Sequence, residues 1–531
     1  MPVFGWVIVT APTLHDRDLT CQVLSVPVSA GSRYQYQFAR KLIHMTQMTQ
    51  TTQMRRTVPA SRERGGSGGL ILAIVLLGQF MAILDVNIVN VALPTLRADL
   101  HASGAMLQLV VAGYVISYAV LLISGARLGD IAGHRRMFHL GLTVFTLGSL
   151  ACGLAPTTGT LIVFRFLQGA GAALMTPQVM SMIQRNFSGA ARARALGAYS
   201  TVIAGGVVVG QVAGGLLVSA DLFGAGWRTV FLVNVPIGIL LLAAGPRVLP
   251  ADKGHRGAGL DLQGLLVFTP AVLLFVLPLI LGHEMGWPAW TPASLAAGIM
   301  LFGVFITVER RVAARGGRPL ISGRVLRAPG LAPATATLLL GPGTWGAFLF
   351  TTTLHLQGDL RLSPLESGLA FIPCVAAFAL VGLNWQRLPA HWHPRLIPAG
   401  FTVAAAAYLC VGPLAGGGVP YELLTAMIGL GLGVMPIIIT VALQHVPVSD
   451  AADGSGLLLT VMQLGQVIGV ATVGTLFLTI AHDSGSTRQA EYGTGWALAA
   501  VALLAAGSAL FLALRRTKPA APVADCLTSV P

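Results

Sequence analysis

An acidic residue stands inside an apolar segment of this sequence: Asp85, in the stretch FMAILDVNIVNVALP at residues 80–94. A carboxylate near the centre of a membrane-spanning helix costs about 2.5–3.5 kcal/mol on insertion scales, so it should face protein or water and not lipid. The helical positions that share its face are small, Gly78, Ala82 and Ala92, which suits close packing or a cavity wall. Asp85 is therefore either a structural acid held by a partner or a group that exchanges protons.

A basic residue at a similar depth is a candidate partner for this acid. Arg165, in LIVFRFLQGAGAALMTPQ, is the basic residue that we place within the hydrocarbon region, and Gln168 shares its helix face. If the first helix runs outward and the fourth inward, Asp85 lies roughly 6 Å and Arg165 roughly 9 Å to the outer side of the midplane, at about 1.5 Å per residue. We predict an ion pair or a water-linked pair, whose carboxylate takes up a proton when the site opens outward.

A loop between two apolar stretches, ARLGDIAGHRRMF at residues 126–138, combines an acid, two glycines and a basic cluster. Asp130 can interact with a neighbouring helix N-terminus or with Arg135 and Arg136, a contact that can break and re-form during a conformational change. Gly133 belongs to the same predicted switch. The alternative interpretation is an ordinary positively charged cytoplasmic loop.

Glycines recur every four residues in GGVVVGQVAGG and form one stripe on a predicted helix. The stripe comprises Gly206, Gly210 and Gly214, with Gly205 and Gly215 adjoining, and such a face lets another helix approach closely. We interpret it as a packing seam or as a conformational pivot. GLGLGVMP, at residues 429–436, gives a similar pattern later in the chain.

Several further polar residues fall within apolar stretches and are candidates for lining a substrate cavity, although such residues also join helices by hydrogen bonds. The candidates are Asn87, Asn90, Tyr114, Gln168, Gln178, Trp345, His355, Gln463 and Gln466.

The elements that must position these residues are membrane helices. The chain has 531 residues, of which 54% are hydrophobic and 10% charged, far from the composition of a soluble domain. About fourteen apolar stretches of roughly 18–24 residues are each long enough to cross a hydrocarbon core of about 30 Å. They cover approximately 69–92, 106–126, 137–155, 160–182, 196–218, 228–245, 262–282, 292–310, 331–353, 365–386, 396–415, 421–442, 456–480 and 494–514.

The net charge of +14 does not indicate nucleic-acid binding, because the basic residues follow the loops of a membrane protein. Most arginines and lysines fall on one set of alternate segments, and the other set holds Arg97, Arg228, Arg361 and Arg488. This bias predicts that both termini are cytoplasmic and that the number of helices is even. We predict a multi-pass protein of the cell (inner) membrane, and we expect a monomer.

An internal repeat links the two halves of the chain. VGQVAGG at 209–215 matches LGQVIGV at 464–470, which gives an offset of 255 positions. The predicted organisation is an N-terminal six-helix bundle and a C-terminal six-helix bundle, separated by two inserted helices and flanked by a disordered basic tail and a short C-terminal tail. The boundaries are 1–68 for the first tail, 69–245, 246–330 and 331–515 for the helical parts, and 516–531 for the last tail. Paired halves with a site between them are typical of secondary transporters.

Other classes of function lack support in the sequence. No GxxxxGK[ST] signature for ATP appears, so an ion gradient must supply the energy. The five cysteines are scattered singly, and the histidines show no metal-like spacing, so we expect neither a metal nor a cofactor nor an enzymatic activity. A channel would not need paired intramembrane charges.

These motifs together resemble the major facilitator superfamily, and within it the fourteen-helix drug:proton antiporter family of the EmrB/QacA type. LDVNIVNVALP resembles the first-helix motif that contains the acid, here Asp85, and RFLQGAGAA resembles the fourth-helix motif whose arginine, here Arg165, is implicated in proton transfer. GGVVVGQVAGG is similar to the antiporter motif of helix 5, and WRTVFLVNVPIG, LDLQG and LSPLESGLAFIP are similar to further family motifs. The resemblance covers about residues 69–515 and implies an all-α polytopic protein of the major facilitator fold.

The sequence departs from that family at three motif positions. Ala126 replaces the usual first glycine of the loop signature, and Ile131 stands where an arginine usually follows the acid. Gln211 replaces the usual proline of the antiporter motif, which removes a kink and adds a side chain able to hydrogen-bond across the helix pair. These departures leave the direction of transport open.

The predicted function is export of a small, mostly hydrophobic organic compound in exchange for protons. The alternative is an uncoupled or import-direction facilitator of the same fold. A neutral or mildly amphipathic substrate is expected because we place no acid deep inside helices 7 to 14, with Glu309 at a helix end and Glu284, Asp359, Glu366 and Glu422 in or near loops.

Overall fold

The computed structural model describes residues 4–15, 18–29, 67–252, 254, 260–317, 319–321, 323–444, 446 and 451–514. The chain divides into two units, residues 1–65 and 66–531, each of which is described by itself.

In the first unit, two strands pair antiparallel: β1 (Phe4–His15) and β2 (Asp18–Ser29). Their register runs without interruption from Phe4 opposite Ser29 to His15 opposite Asp18. The prediction that residues 1–68 are disordered is therefore wrong for both strands. It rested on the composition of the whole segment, whereas these two stretches are locally rich in valine, isoleucine and threonine, which favour strands. Residues 30–66 of the predicted tail, and 515–531, lie outside the described residues.

All regular elements in the described residues of the second unit are helices, and the long helical segments match the predicted apolar stretches in order. A four-residue helix, Gly323–Leu326, precedes the ninth of them. The long segments are α1 Ser67–Leu100, α2 Gly104–Ala132, α3 His134–Gly153, α4 Thr158–Asn186, α5 Gly189–Ala220, α6 Gly226–Val248, α7 Leu262–Leu281, α8 Trp290–Ala314, α9 Leu331–Gln357, α10 Pro364–Arg387, α11 His393–Leu409, α12 Val419–Leu443, α13 Gly454–Ser484 and α14 Thr487–Leu514.

Within the described ranges, 11 of these segments are long and apolar enough to cross a membrane. The chain is therefore a multi-pass membrane protein. The other three, α3, α9 and α11, are helical at the predicted places but are shorter or more polar. A total of fourteen crossings thus stays a prediction.

The helix contacts repeat with a shift of eight helices. In the first half α1 packs on α5, α2 on α4 and α3 on α6; in the second half α9 packs on α13, α10 on α12 and α11 on α14. The contacts that join the two halves, α2 with α13 and α5 with α10, are related in the same way. α7 and α8 pack on each other, and α7 also contacts α2. This pattern supports the predicted division into two six-helix units with an inserted pair. The division itself stays a prediction.

The same repeat holds for individual atoms at the glycine seams. A Cβ atom added at Gly210 would lie 3.2 Å from the Leu84 carbonyl oxygen, and one added at Gly465 would meet the carbonyl oxygen of Leu339. Both the glycines and the carbonyls are separated by the 255 positions found in the sequence. The two halves therefore share one close approach of a glycine to a backbone carbonyl, which is favoured by the absence of a side chain.

Local sequence explains where the helices that carry the site begin. The Ser103 hydroxyl accepts a hydrogen bond from the backbone N–H of Met106 at the start of α2, and a reciprocal Thr157–Thr160 capping pair opens α4. Gly133, with φ of 99°, separates α2 from α3 in a conformation that other residues rarely adopt. These caps fix the depth of the polar residues along each helix.

The glycine seam gives a stability prediction. Changing Gly210 to valine should lower the free energy of unfolding by about 1–3 kcal/mol, because its Cβ would lie 2.8 Å from the Asn87 Cβ atom and close to the backbone of α1. Thermal unfolding in detergent measures this effect. Gly205→Val is the matched control, because no atom lies within 4 Å of a Cβ at that position. Equal melting temperatures for the two variants would show that the seam is not tightly packed.

Candidate functional site

A cluster of polar side chains lies in the interior of α1–α6. Asp85 comes from α1, Ser149 from α3, Arg165 and Gln168 from α4, and Asn234 from α6. Asp85, Ser149, Gln168 and Asn234 are each 0% exposed and Arg165 is 1% exposed. Four helices thus cooperate to remove these groups from both lipid and water.

Asp85 accepts three hydrogen bonds inside this cluster. One Arg165 guanidinium nitrogen donates to Oδ2 in a direct ion pair. The side-chain amide of Gln168 donates to Oδ1 at 2.7 Å, and that of Asn234 donates to the same oxygen at 3.1 Å. The predicted contact between Asp85 and Arg165 is therefore present, and both carboxylate oxygens are occupied by donors, which suits the ionised form.

Arg165 is held from several directions. Its Nε donates to the carbonyl oxygen of Val110 at 2.9 Å, and its Nη1 donates to the Gln168 amide oxygen at 2.8 Å. The guanidinium carbon lies 4.5 Å from the centre of the Tyr114 ring and 5.7 Å from that of Phe231. These rings favour a cation that has been stripped of water.

Ser149 connects the amides that surround the acid. Its hydroxyl oxygen accepts from Gln168 at 3.0 Å and from Asn234 at 3.1 Å, and it donates to the Phe231 carbonyl oxygen at 2.9 Å. The cluster thus contains one carboxylate and one guanidinium whose charges cancel. Protonation of Asp85 would leave the arginine charge uncompensated in an interior without water, which is energetically costly.

The structure corrects the predicted contacts of the loop at residues 126–138. Asp130 lies 3.6 Å from the His134 ring, and among the described residues it makes no ion pair with Arg135 or Arg136. Asp252, in the connection after α6, instead occupies the N-terminus of α3: its carboxylate accepts from the backbone N–H groups of His134 at 2.7 Å and of Arg135 at 3.1 Å. It accepts there because a helix N-terminus presents unpaired N–H groups to an anion.

Two arginines of this loop, Arg135 and Arg136, differ in their contacts. The Arg135 guanidinium donates to the Pro246 carbonyl oxygen at 2.7 Å, and Arg185 of α4 reaches Asp252 at 3.3 Å. Arg136 is exposed. The loop is thus tied to the end of α6 by Asp252 and Arg135, and its role as a switch stays a prediction.

The glycine stripe of α5 contacts two partners. Gly206, Gly210 and Gly214 face α1, where added Cβ atoms would meet Ile83, Asn87 and Ile88. Gly215 faces α10 of the other half, and a Cβ there would lie 2.9 Å from the Leu365 Cα atom. The stripe is a packing seam on one face and an interface between the halves on the next.

Gln211 does not form the cross-helix hydrogen bond that we expected from its sequence position. The residue is 1% exposed, and neither its amide oxygen nor its amide nitrogen has a partner among the described residues. The adjoining backbone explains this, because the Gln211 carbonyl lies against Gly368 of α10 and the helices approach too closely to offer a side-chain partner.

Two of the candidate lining residues join helices by hydrogen bonds. Gln178 bridges to the His134 ring at 2.8 Å and to the Gly125 carbonyl at 2.8 Å, and His355 bridges Thr487 and the Ala415 carbonyl, each at 2.8 Å. Both side chains are 0% exposed. A role for Gln178 and His355 in lining a substrate cavity stays a prediction.

The other lining candidates are placed as follows. Tyr114 and Gln168 belong to the Asp85 cluster, and Asn87 and Asn90 donate to carbonyls one turn earlier on α1, at 2.8 and 3.2 Å. Trp345 stacks on Phe378 with 5.2 Å between ring centres. Gln463 is buried on α13, and Gln466 lies close to Gly346 of α9. A role for these residues in binding substrate stays a prediction.

Sequence reasoning missed several members of these sites. Asn234 lies within the quoted motif WRTVFLVNVPIG, which could have drawn attention to it, but no sequence signal indicated Ser149 or Asp252. Glu491, near the start of α14, was also missed. It is 1% exposed, and one of its carboxyl oxygens has no partner among the described residues. It was missed because α14 begins at Thr487, earlier than the apolar stretch suggested. No cluster of potential metal ligands occurs in the part of the chain that the structure describes.

Comparison with known proteins gives concordant matches. The sequence model of the Major Facilitator Superfamily matches residues 75–470. The chain is 38% identical over 450 residues to a protein of Streptomyces coelicolor described as "Probable actinorhodin transporter", with 82% of this chain and 76% of that protein covered. It is 36% identical to "Cephamycin export protein CmcT" of Amycolatopsis lactamdurans, covering 86% of this chain and 94% of that protein.

A third relative and a solved structure extend these matches. "Methylenomycin A resistance protein" of Streptomyces coelicolor is 31% identical, with 86% of this chain and 93% of that protein covered. A crystal structure of the peptide transporter POT in complex with sulfate superposes with a TM-score of 0.61 at 16% identity, covering 87% of this chain and 98% of that chain. At 16% identity, the match to this solved structure bears on the fold alone.

Proposed function

Because this chain belongs to the Major Facilitator Superfamily, we propose that it exports a small, mostly hydrophobic organic compound across the cell membrane in exchange for protons. The observation that carries this proposal is the buried pair of Asp85 and Arg165, an ionisable acid in the apolar interior of α1–α6. Such residues are expensive in a membrane interior and typically serve ion or proton movement. The relatives that are named for export or resistance support the outward direction.

The proposed cycle uses the pair as a proton-dependent lock. With Asp85 ionised, the pair holds α1 and α4 together and also engages α6 through Asn234. When a proton neutralises Asp85, the attraction for Arg165 falls, and the helices can rearrange. Motion is transmitted to the second half through α2 with α13 and α5 with α10, the helix pairs that join the halves.

The proposed orientation follows from the charge bias. The connections on the side of the α2–α3 junction carry most of the arginines and lysines, so we place this side and both termini in the cytoplasm. The C-terminal end of α1 and the start of α2 then face outward.

A growth assay tests export. Cells that express the protein should tolerate several-fold higher concentrations of at least one compound in a panel of toxic organic molecules, because outward transport lowers the internal concentration. Cells that express Asp85→Asn at the same level should not gain this tolerance. If the wild-type protein sensitises cells to compounds without ever protecting them, the direction of transport is inward and the proposal fails.

The second candidate is an uncoupled or import-direction facilitator of the same fold. Gln211 favours it, because this side chain replaces the proline usual in exporters and leaves its amide without a partner among the described residues. The two candidates differ in whether substrate and proton movements are linked, which proton release on addition of substrate to the purified protein measures.

A further inference from the structure

A cavity of about 590 Å³ lies at the end of the molecule where α1 finishes and α2 begins. Its polar lining comes from α1 and α2, from the connection after α7 and from α13 and the start of α14, and it contains none of the Asp85 cluster. The residues that matter are Arg97, Gln108, His283, Glu284, Thr475 and His482. Both halves and the inserted helices therefore contribute to one cavity, whose volume suits a small organic molecule.

The charges around the cavity are unevenly compensated. Glu284 accepts a hydrogen bond at 3.0 Å from the backbone N–H of Ala105 at the start of α2, where the helix dipole favours an anion. Arg97 makes no side-chain ion pair or hydrogen bond within the described ranges, and its side chain is exposed. The ring nitrogens of His283 and His482 add further polar groups to the cavity wall. The Glu284 carboxylate thus has one backbone donor, whereas the Arg97 guanidinium has no partner within the described ranges and is left for a ligand.

A buried hydrogen-bond donor borders the same cavity. Gln108 is 0% exposed, and its amide oxygen accepts from the Thr475 hydroxyl at 3.2 Å. Its amide nitrogen has no partner among the residues described. A Cβ at position 474 would lie 2.9 Å from this nitrogen, so glycine there keeps the space open. Gly474 ends a π-helical turn, Val470–Gly474, in α13, a feature that is frequent at functional sites.

We propose that this cavity is a binding site for organic anions, in which Arg97 with His283 and His482 binds a carboxylate and Gln108 donates to a second acceptor on the ligand. An unpartnered buried amide costs free energy that a ligand acceptor removes, and a guanidinium pairs with carboxylates through charge-assisted hydrogen bonds. The inserted pair α7 and α8 then contributes to ligand binding, since the connection between the two helices supplies His283. The inference rests on the proposed export only for the location of the cavity at the outer, exit end of the transport route. Binding of an anion in the cavity does not depend on the direction of transport.

Equilibrium binding tests the proposal. The full chain in phosphatidylcholine nanodiscs is titrated calorimetrically with naphthalene-2-carboxylate and with the neutral naphthalene-2-carboxamide. The wild-type protein should bind the carboxylate about tenfold more tightly than the carboxamide, because only the former carries a charge for Arg97. Arg97→Gln should abolish this preference, whereas Arg361→Gln, a change of an exposed arginine that does not line the cavity, should retain it. Gln108→Leu should weaken binding of both probes.

Three results would overturn the inference: equal affinity of the wild-type protein for the two probes, a preference that survives Arg97→Gln, or loss of naphthoate binding when phosphatidylglycerol is added to the bilayer. The last would identify a lipid phosphate as the occupant. Naphthoate binding is measured at equilibrium without a pH gradient, whereas export is measured by the growth assay, so each can fail while the other succeeds. Failure of the anion site and failure of the export proposal are therefore distinguishable.

Discussion

Asp85→Asn is expected to reduce transport against a concentration gradient to the level of empty vesicles. The amide keeps the size of the carboxylate and can still bond to Gln168 and Asn234, but it can neither bind nor release a proton in the physiological range. Proteoliposomes with an imposed pH gradient measure the loss. The matched control is Asp99→Asn on the same helix, whose carboxylate also pairs with an arginine, Arg228 at 2.7 Å, but lies near the surface.

The same substitution leaves Arg165 as a buried charge without a counter-ion, so reduced folding could imitate reduced coupling. The double variant Asp85→Asn/Arg165→Gln separates the two effects. It removes both charges and should recover much of the melting temperature lost in the single variant, yet it should remain unable to drive transport with a pH gradient. Active transport by the double variant would contradict the assigned role of Asp85.

Arg165→Ala is expected to lower the free energy of unfolding by about 3–5 kcal/mol, because it strands the Asp85 carboxylate in an interior without water. The variant also loses the hydrogen bond to Val110 and the contact with the Tyr114 ring. Thermal unfolding in one detergent measures the change, and transport should be absent. A melting temperature equal to that of the wild-type protein would show that the pair does not hold the helices together.

Arg165→Lys tests the geometry of this contact. Lysine keeps the charge but lacks the planar fork that reaches Val110, Asp85 and Gln168 at once. We therefore expect stability between those of the wild-type protein and Arg165→Ala. If lysine restores both stability and transport completely, the charge alone is sufficient and the fork geometry has no role.

Sequence reasoning succeeded where one-dimensional spacing determines the result. The apolar run lengths predicted the helix positions, and the rise per residue brought Asp85 and Arg165 to similar depths. The 255-residue offset found in the sequence also relates the contact of Gly210 with Leu84 to that of Gly465 with Leu339. Each of these results needs only helix geometry and the order of the elements.

The site residues that were not predicted depend on which helix faces meet in three dimensions. Ser149 and Asn234 join the Asp85 cluster because α3 and α6 pack beside α1 and α4, and nothing in their own sequence positions specifies this. Asp252 takes the place expected for Asp130 because the chain returns from α6 to the start of α3. Glu491 was missed because polar residues at the start of α14 concealed the true helix boundary.

The most direct test of the account measures protons released when substrate binds. Purified protein in weakly buffered detergent solution, with a pH-sensitive dye, is mixed with a compound from which it protects cells. The wild-type protein should release about one proton for each substrate bound, because Asp85 returns to its ion pair with Arg165. Asp85→Asn should bind the same compound and release none. Equal proton release by the two proteins would contradict the claim that this buried acid couples the proton gradient to transport.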